Sequence, residues 1–253
     1  MSRQFFETQG VGEVTTDEAL ALNPELDVPS FAANYGSRKR IHIPNLLTAS
    51  SAARLHRCLE QETEYTLAIM TEQGAQYAKP AALAHPELMR QVQAGAYARA
   101  QDGKFSFLYD THIVTQTGDP YPAADHYLRR VTDFIEGPAF LDLCRGVTGL
   151  QDIAFADAQA TRYRPGHFLT QHNDNVPEQK RLAAYVLNFT PVWRPDWGGA
   201  LLFLDRGGHV EQGFTPAFNA LNIFTVPQSH IVSHVAPFAA GPRLSITGWL
   251  RTR

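Results

Sequence analysis

From residue 153 onward the chain is written in short runs rich in β-branched and aromatic residues, each closed by glycine, proline, asparagine or aspartate. The runs are IAFADAQATRY, HFLTQHN, RLAAYVLNFT, GALLFLD, NALNIFTV, SHIVSHVA and RLSITGWLRT, at the spacing of roughly 8 to 15 residues that antiparallel strands of a sandwich or barrel require. The pattern predicts a double-sheet jelly roll. Before residue 150 the period is helical. TASSAARLHRCLEQE (48–62) opens on a Thr/Ser cap, HPELMRQVQAGAYARAQ (85–101) carries Pro86 in its first turn, and AADHYLRRVTDFIEG (123–137) and PAFLDLCRGVTG (138–149) follow, the last with a glycine stop. FSFLYDTHIVT (105–115) interrupts them as a strand. The expected fold is mainly β with flanking helices, which pack on one outer sheet face and leave the mouth of the roll free.

With 253 residues, 44% of them hydrophobic, the chain can bury a substantial core. Its net charge of -3 is mixed along the length with no basic stripe, which argues against nucleic acid as a partner. No stretch approaches the roughly 18 apolar residues of a membrane span, and the first twenty residues hold acids where a signal peptide needs an apolar run. A cytoplasmic protein is expected. Cys58 and Cys144 lack a CxxC partner and read as small buried apolar residues.

The stretch YRPGHFLTQHNDN (163–175) concentrates metal-capable side chains in an apolar setting. On a strand, residues two apart share a face, so His172 and Asp174 are expected to point together into the roll. A second imidazole comes from SHIVSHV, where period two puts His230 and His234 on the same face and leaves both open. Two histidines and a carboxylate on one side of a metal leave open positions, the arrangement of non-haem Fe(II) oxygenases. In RLSITGW, Arg243 and Ser245 are again two apart. An inward arginine is costly unless it meets an anion, and its planar fork suits a carboxylate such as the far end of 2-oxoglutarate.

The ordered set Tyr163, His172-x-Asp174, RLAAYVLNFTPVWRPDWGGALLFLD, His230-x-Val232 and Arg243-x-Ser245-ITGW resembles the Fe(II)/2-oxoglutarate-dependent dioxygenases, in their prolyl-hydroxylase-like branch. It is similar above all to the prolyl hydroxylases that act on a ribosomal protein. The likeness spans 153–253, with a looser match over 40–150. It implies a double-stranded β-helix (cupin-like) core and iron held by His172, Asp174 and His230. Arg243, Ser245 and Tyr163 would bind 2-oxoglutarate, and C–H hydroxylation would release succinate and CO2. The implied cofactors are Fe(II) and 2-oxoglutarate, with ascorbate as an accessory. The implied partners are 2-oxoglutarate, dioxygen and a peptide, protein or small-molecule substrate. The family pattern favours His230 over His234.

Two departures stand out: Val186 occupies the place of a tyrosine common in the family, with Tyr185 beside it on the opposite face, and the chain ends after one roll. On this reading residues 1–39 are an N-terminal arm and 40–253 a single catalytic jelly-roll domain. Within it, 40–150 give helical support and 151–253 form the metal-binding core. His167 is expected to be structural, Arg181 and Arg194 solvated, and Trp193, Trp197 and Trp249 packing residues, the last near the floor of the site. Gly198 and Gly199 are expected to permit a close backbone approach. The alternatives are a metalloenzyme using zinc or manganese without a 2-oxo acid, and a non-catalytic cupin-like protein that binds a small molecule.

Overall fold

The computed structural model describes residues 19–79, 81, 84–115 and 126–253; the parts of the sequence reading that fall on 1–18 and 123–125 lie outside these. In chain order the first half contains α1 (Val28–Tyr35), β1 (Arg40–Ile43), α2 (Ala49–Arg57), β2 (Thr66–Thr71), β3 (Gly74–Ala78), α3 (Pro86–Gln101), β4 (Phe107–Ile113), α4 (Leu128–Glu136) and α5 (Pro138–Thr148). The second half contains β5 (Phe155–Ala156), β6 (Gln159–Tyr163), β7 (Phe168–His172), β8 (Arg181–Asn188) and β9 (Leu201–Leu204). It closes with β10 (Val210–Phe214), β11 (Ala220–Thr225), β12 (His230–Val232) and β13 (Arg243–Arg251).

The helices follow their local signals. The Thr48 hydroxyl accepts from the Ser51 N–H at the start of α2, and Gly149 closes α5 at φ 74°. Helix α2 runs on into a single π-helical turn, Cys58–Glu62.

The strands form a mostly antiparallel, nearly closed barrel, the double-stranded β-helix expected from their spacing. The hydrogen-bonded order is β1-β11-β8-β13-β6-β4-β7-β12-β9-β10, with β2 on β4, β3 on β2 and β5 on β13. Strand β4 turns the corner: Asp110–Ile113 pairs with β6, while Phe107 and Leu108 pair with β7. All seven runs read in the second half form strands. Four strands do not show in the sequence pattern: β1, β2, β3 and β10. VEQGF and GAQYA carry little apolar alternation because they lie at the margin of the sheet and bury little. The first half is thus not purely helical.

Period two sorts strand β8 cleanly. Ala183, Tyr185 and Leu187 face the helices, in one core cluster with Ile43, Leu55, Phe140 and Ile246. Ala184 and Val186 face the interior of the roll with Leu201, Phe203 and Phe224. Helix α3 stands apart from the other helices and covers β2, β4 and β7 through Leu67, Ala96, Leu108 and Phe168. Residues Val28 and Phe31 of α1 pack against the main core, and Leu22 bridges to Leu47, so the described part of the segment 1–39 lies against the body.

Central strand β13 passes so close to the residues before β6 that a Cβ on Gly248 would run into the Asp157 carbonyl and the Tyr185 ring. Gly248→Ala should therefore cost about 1–3 kcal/mol of stability through overpacking, read as a lower denaturant midpoint. An unchanged midpoint would show that the crossing has room to spare.

Candidate metal centre

Strand β7 ends at His172 and β12 begins at His230, and the two are direct partners in the antiparallel register. Their rings lie 4.1 Å apart, centroid to centroid. Asp174 reaches them by a route that simple alternation does not describe. It lies beyond the end of β7 with φ 61°, in the left-handed region that aspartate and asparagine tolerate better than most residues. The Asn173 side chain accepts from the Asn175 N–H and holds this turn. The chain thereby folds back, and the carboxylate comes within 3.5 Å of both His172 Nε2 and His230 Nε2.

Each imidazole is fixed by its own strand. His172 Nδ1 lies 3.0 Å from the Thr170 carbonyl, and His230 Nδ1 lies 2.8 Å from the Gln228 carbonyl. A carbonyl only accepts, so Nδ1 carries the hydrogen and Nε2 presents its lone pair toward Asp174. One ligand atom from each of the three residues falls within 4.8 Å of the others, a separation that suits a common ion. Phe105 packs beside the His172 ring, and Phe224 meets the His230 ring edge-on at 4.7 Å.

His234 is elsewhere. It lies beyond the end of β12, and its Nε2 is 2.8 Å from the hydroxyl of Tyr97 on α3. Because that hydroxyl donates to the Gly166 carbonyl, His234 acts here as donor. His167 is buried in the turn before β7, where its carbonyl accepts from Val235 N. Gly198 lets its loop pass against the His234 backbone, where a Cβ would collide with the carbonyl.

Deeper in the roll, Arg243 is buried, and burial pulls its guanidinium below the ordinary value. Its Nε and Nη1 have no hydrogen-bond partner among the described residues, and its Cζ lies 5.2 Å from the centre of the Tyr163 ring. An unpartnered buried cation is expensive, and a bidentate anion is the group that relieves it. Tyr163 is the register partner of Arg243 and stacks on Tyr109. Ser245 is buried one pair further along, its hydroxyl 2.8 Å from that of Thr161. Val186 lines the interior while Tyr185 points to the helices, its hydroxyl donating to the Asp157 carbonyl.

One expectation fails. Arg181 is not solvated: only 10% of its side chain is exposed, and its Cζ sits 3.5 Å over the Trp249 ring. It also donates from Nη1 to the Asp174 carbonyl at 3.1 Å. Trp249 is accordingly a wall of the cleft as well as a packing residue. The sequence signal was the seven-residue step from Asp174 across a turn to the head of β8, which only the fold converts into contact. Arg194, by contrast, is exposed and pairs with Asp196. Thr161 also lines the cleft without having been singled out from the sequence.

Burial raises the Asp174 carboxyl, but its polar neighbours, His172 first and then His230 and Arg181, outweigh it and hold the group below its ordinary value. Burial, reinforced by His172, lowers His230 from 6.5 to about 4; burial also lowers His167 to about 4.

Residues 158–251 match the sequence profile of the 2OG-Fe(II) oxygenase superfamily. A comparison with curated proteins gave no match. Among solved structures, the chain is similar to a Pseudomonas putida prolyl-4-hydroxylase, with 18% identity, TM-score 0.54, and 89% of this chain and 99% of that chain covered. It is also similar to a Trichoplax adhaerens prolyl hydroxylase in complex with a hypoxia inducible factor peptide fragment, at 15% identity, TM-score 0.61 and 89% coverage of each chain. A third is a 2OG-Fe(II) oxygenase family oxidoreductase from Burkholderia pseudomallei, at 12% identity, TM-score 0.59, with 92% and 95% covered. These identities establish likeness of fold.

The lowered histidines fix a sign. Between about pH 6.5 and 4 the unfolded chain binds protons at these histidines that the folded chain refuses, so stability falls as pH drops through that window. The denaturant midpoint of metal-free protein should decline steadily from pH 6.5 to 4; a flat profile there would contradict the neutral, buried state of His230 and His167.

Proposed function

We propose that this chain, whose residues 158–251 match the 2OG-Fe(II) oxygenase superfamily, is a 2-oxoglutarate/Fe(II)-dependent dioxygenase that hydroxylates a prolyl C–H bond in a protein, peptide or free amino acid. In this reading His172, Asp174 and His230 hold the iron, while Arg243, Tyr163 and the hydroxyl row that includes Ser245 hold 2-oxoglutarate. Residues 40–253 act as one catalytic unit, a view supported by the continuous sheet that joins β1 to β13. The observation that carries the proposal is the buried guanidinium of Arg243 with two unpartnered nitrogens, in the same cleft as the two imidazoles and the carboxylate. A metalloenzyme without a 2-oxo acid would give that arginine no task.

When bound, iron, 2-oxoglutarate and dioxygen supply the oxidising chemistry, which converts the cosubstrate to succinate and CO2 and leaves one oxygen atom on the substrate carbon. The protein supplies geometry. The Thr170 and Gln228 carbonyls keep both imidazoles in the neutral tautomer with Nε2 directed inward. Arg243 fixes the far carboxylate and so aims the cosubstrate's reactive end at the metal side of the cleft. Phe224, Val186 and Leu201 give the cleft an apolar lining, backed by Phe203, that excludes water.

Prolyl specificity draws support from two sides. Two of the similar folds are prolyl hydroxylases. Beside Asp174, the Arg181–Trp249 stack sets an apolar indole next to a guanidinium, a combination that fits an apolar ring bearing a carbonyl. Among the described residues no helix is long and apolar enough to cross a membrane. We assign the enzyme to a reducing cytoplasm, in keeping with Cys58 and Cys144, which are free and buried.

His172→Ala and Asp174→Ala should abolish oxygen-dependent conversion of 2-oxoglutarate to succinate; retained conversion in either variant would refute the ligand assignment. Arg243→Ala should raise the 2-oxoglutarate requirement by at least about tenfold, because a desolvated charge loses its partner. An unchanged requirement would remove the cosubstrate role. For the substrate, a gain of one oxygen located by mass spectrometry on a proline is the expected product.

A further inference from the structure

We propose that Thr161, rather than Ser245, presents the hydroxyl that meets the far carboxylate of 2-oxoglutarate, and that Ser245 stands behind it as the donor that fixes its polarity. The inference rests on the reading that Arg243 receives this carboxylate.

The placement comes from strand register. Thr161 on β6 is opposite Ser245 on β13, and the next inward-facing pair is Tyr163 opposite Arg243. Thr161, Tyr163 and Arg243 all line the cleft, whereas Ser245 does not reach it and is fully buried. The hydroxyl that shares a wall with the guanidinium is therefore that of Thr161.

Proton accounting gives the pair a direction. The two hydroxyl oxygens are 2.8 Å apart, a normal O–H···O bond in which either could donate. The other bond open to Thr161, to the Ser245 carbonyl, is long at 3.4 Å and weak. Apart from Thr161, no partner for Ser245 Oγ is found among the described residues, and the Asn188 Oδ1 on the adjoining strand is itself unpartnered. If Thr161 donated to Ser245, the serine proton would be left without an acceptor. If Ser245 donates to Thr161, the threonine proton is free to turn to the cleft. A carboxylate only accepts, so this second arrangement is the one that suits an arriving anion. A chain of donors, Ser245 to Thr161 to carboxylate, also polarises each bond in the same sense.

The test is binding of 2-oxoglutarate to the Mn(II)-loaded protein under exclusion of oxygen, followed by calorimetry, with no turnover required. Thr161→Val, which keeps the shape and removes the hydroxyl, should weaken binding by about tenfold, the scale of a hydrogen bond to a charged group. Thr161→Ser should bind nearly as the parent does. Ser245→Ala should weaken binding by only about threefold, and should add nothing once Thr161 is valine, because its effect passes through that residue. Thr161→Ala serves as the second probe should the valine variant unfold.

The proposal is overturned if Ser245→Ala costs as much as Thr161→Val or more, if the two losses multiply, or if Thr161→Ser fails to restore binding. A failure of the underlying reading looks different. In that case the parent protein does not bind 2-oxoglutarate, or binds it equally well as Arg243→Ala.

Discussion

The antiparallel pairing of β7 with β12 is the constraint on which the rest depends. It sets His172 opposite His230, and a slip of one residue would turn the ring on the displaced strand out of the roll, since side chains alternate strictly across a strand. Nothing within these two short strands enforces that register alone. Strand β4 clamps β7 from one side, β9 clamps β12 from the other, and the cleft between them inherits its shape from both.

Electrostatics inside the roll is deliberately uneven. Asp174 is surrounded by positive or hydrogen-bonding neighbours, with His172, His230 and Arg181 all within reach. Arg243 has no such company. One end of the cleft therefore holds a carboxylate ready to balance a cation, while the other holds a cation awaiting a carboxylate. A ligand that chelates at one end and is anionic at the other matches both, as a 2-oxo dicarboxylic acid does. The same unevenness explains why a purely structural role for Arg243 is hard to sustain: a buried guanidinium costs stability while two of its nitrogens lack acceptors.

Much of this arrangement is legible in the residues. Seven β-rich runs separated by turn formers announce the roll, and HNDN and RLS mark the two ends of the cleft. What escapes is whatever depends on tertiary contact. Strands β1, β2, β3 and β10 are held by their neighbours more than by their own alternation. Alternation also suggests that Asp174 lies on the same strand face as His172, whereas the carboxylate arrives by a left-handed turn. Arg181 reads as an ordinary surface charge until β8 is seen to begin under Trp249. Thr161 is one β-branched residue among many, and gains meaning only from the strand laid beside it. His230 and His234, indistinguishable by period, separate because β12 stops at Val232 and releases the second histidine toward α3.

The carbonyl two residues before each histidine does more than choose a tautomer. By gripping Nδ1, the strand's own backbone removes the rotational freedom of the ring during folding, with no helper side chain that a substitution elsewhere could delete. An incoming ion then meets rings already arrested, and its capture carries little further loss of entropy. On the proposed ligand assignment, the orientation of both rings is in that sense a property of main chain, and sequence drift around the cleft could reshape what is oxidised while leaving that orientation untouched.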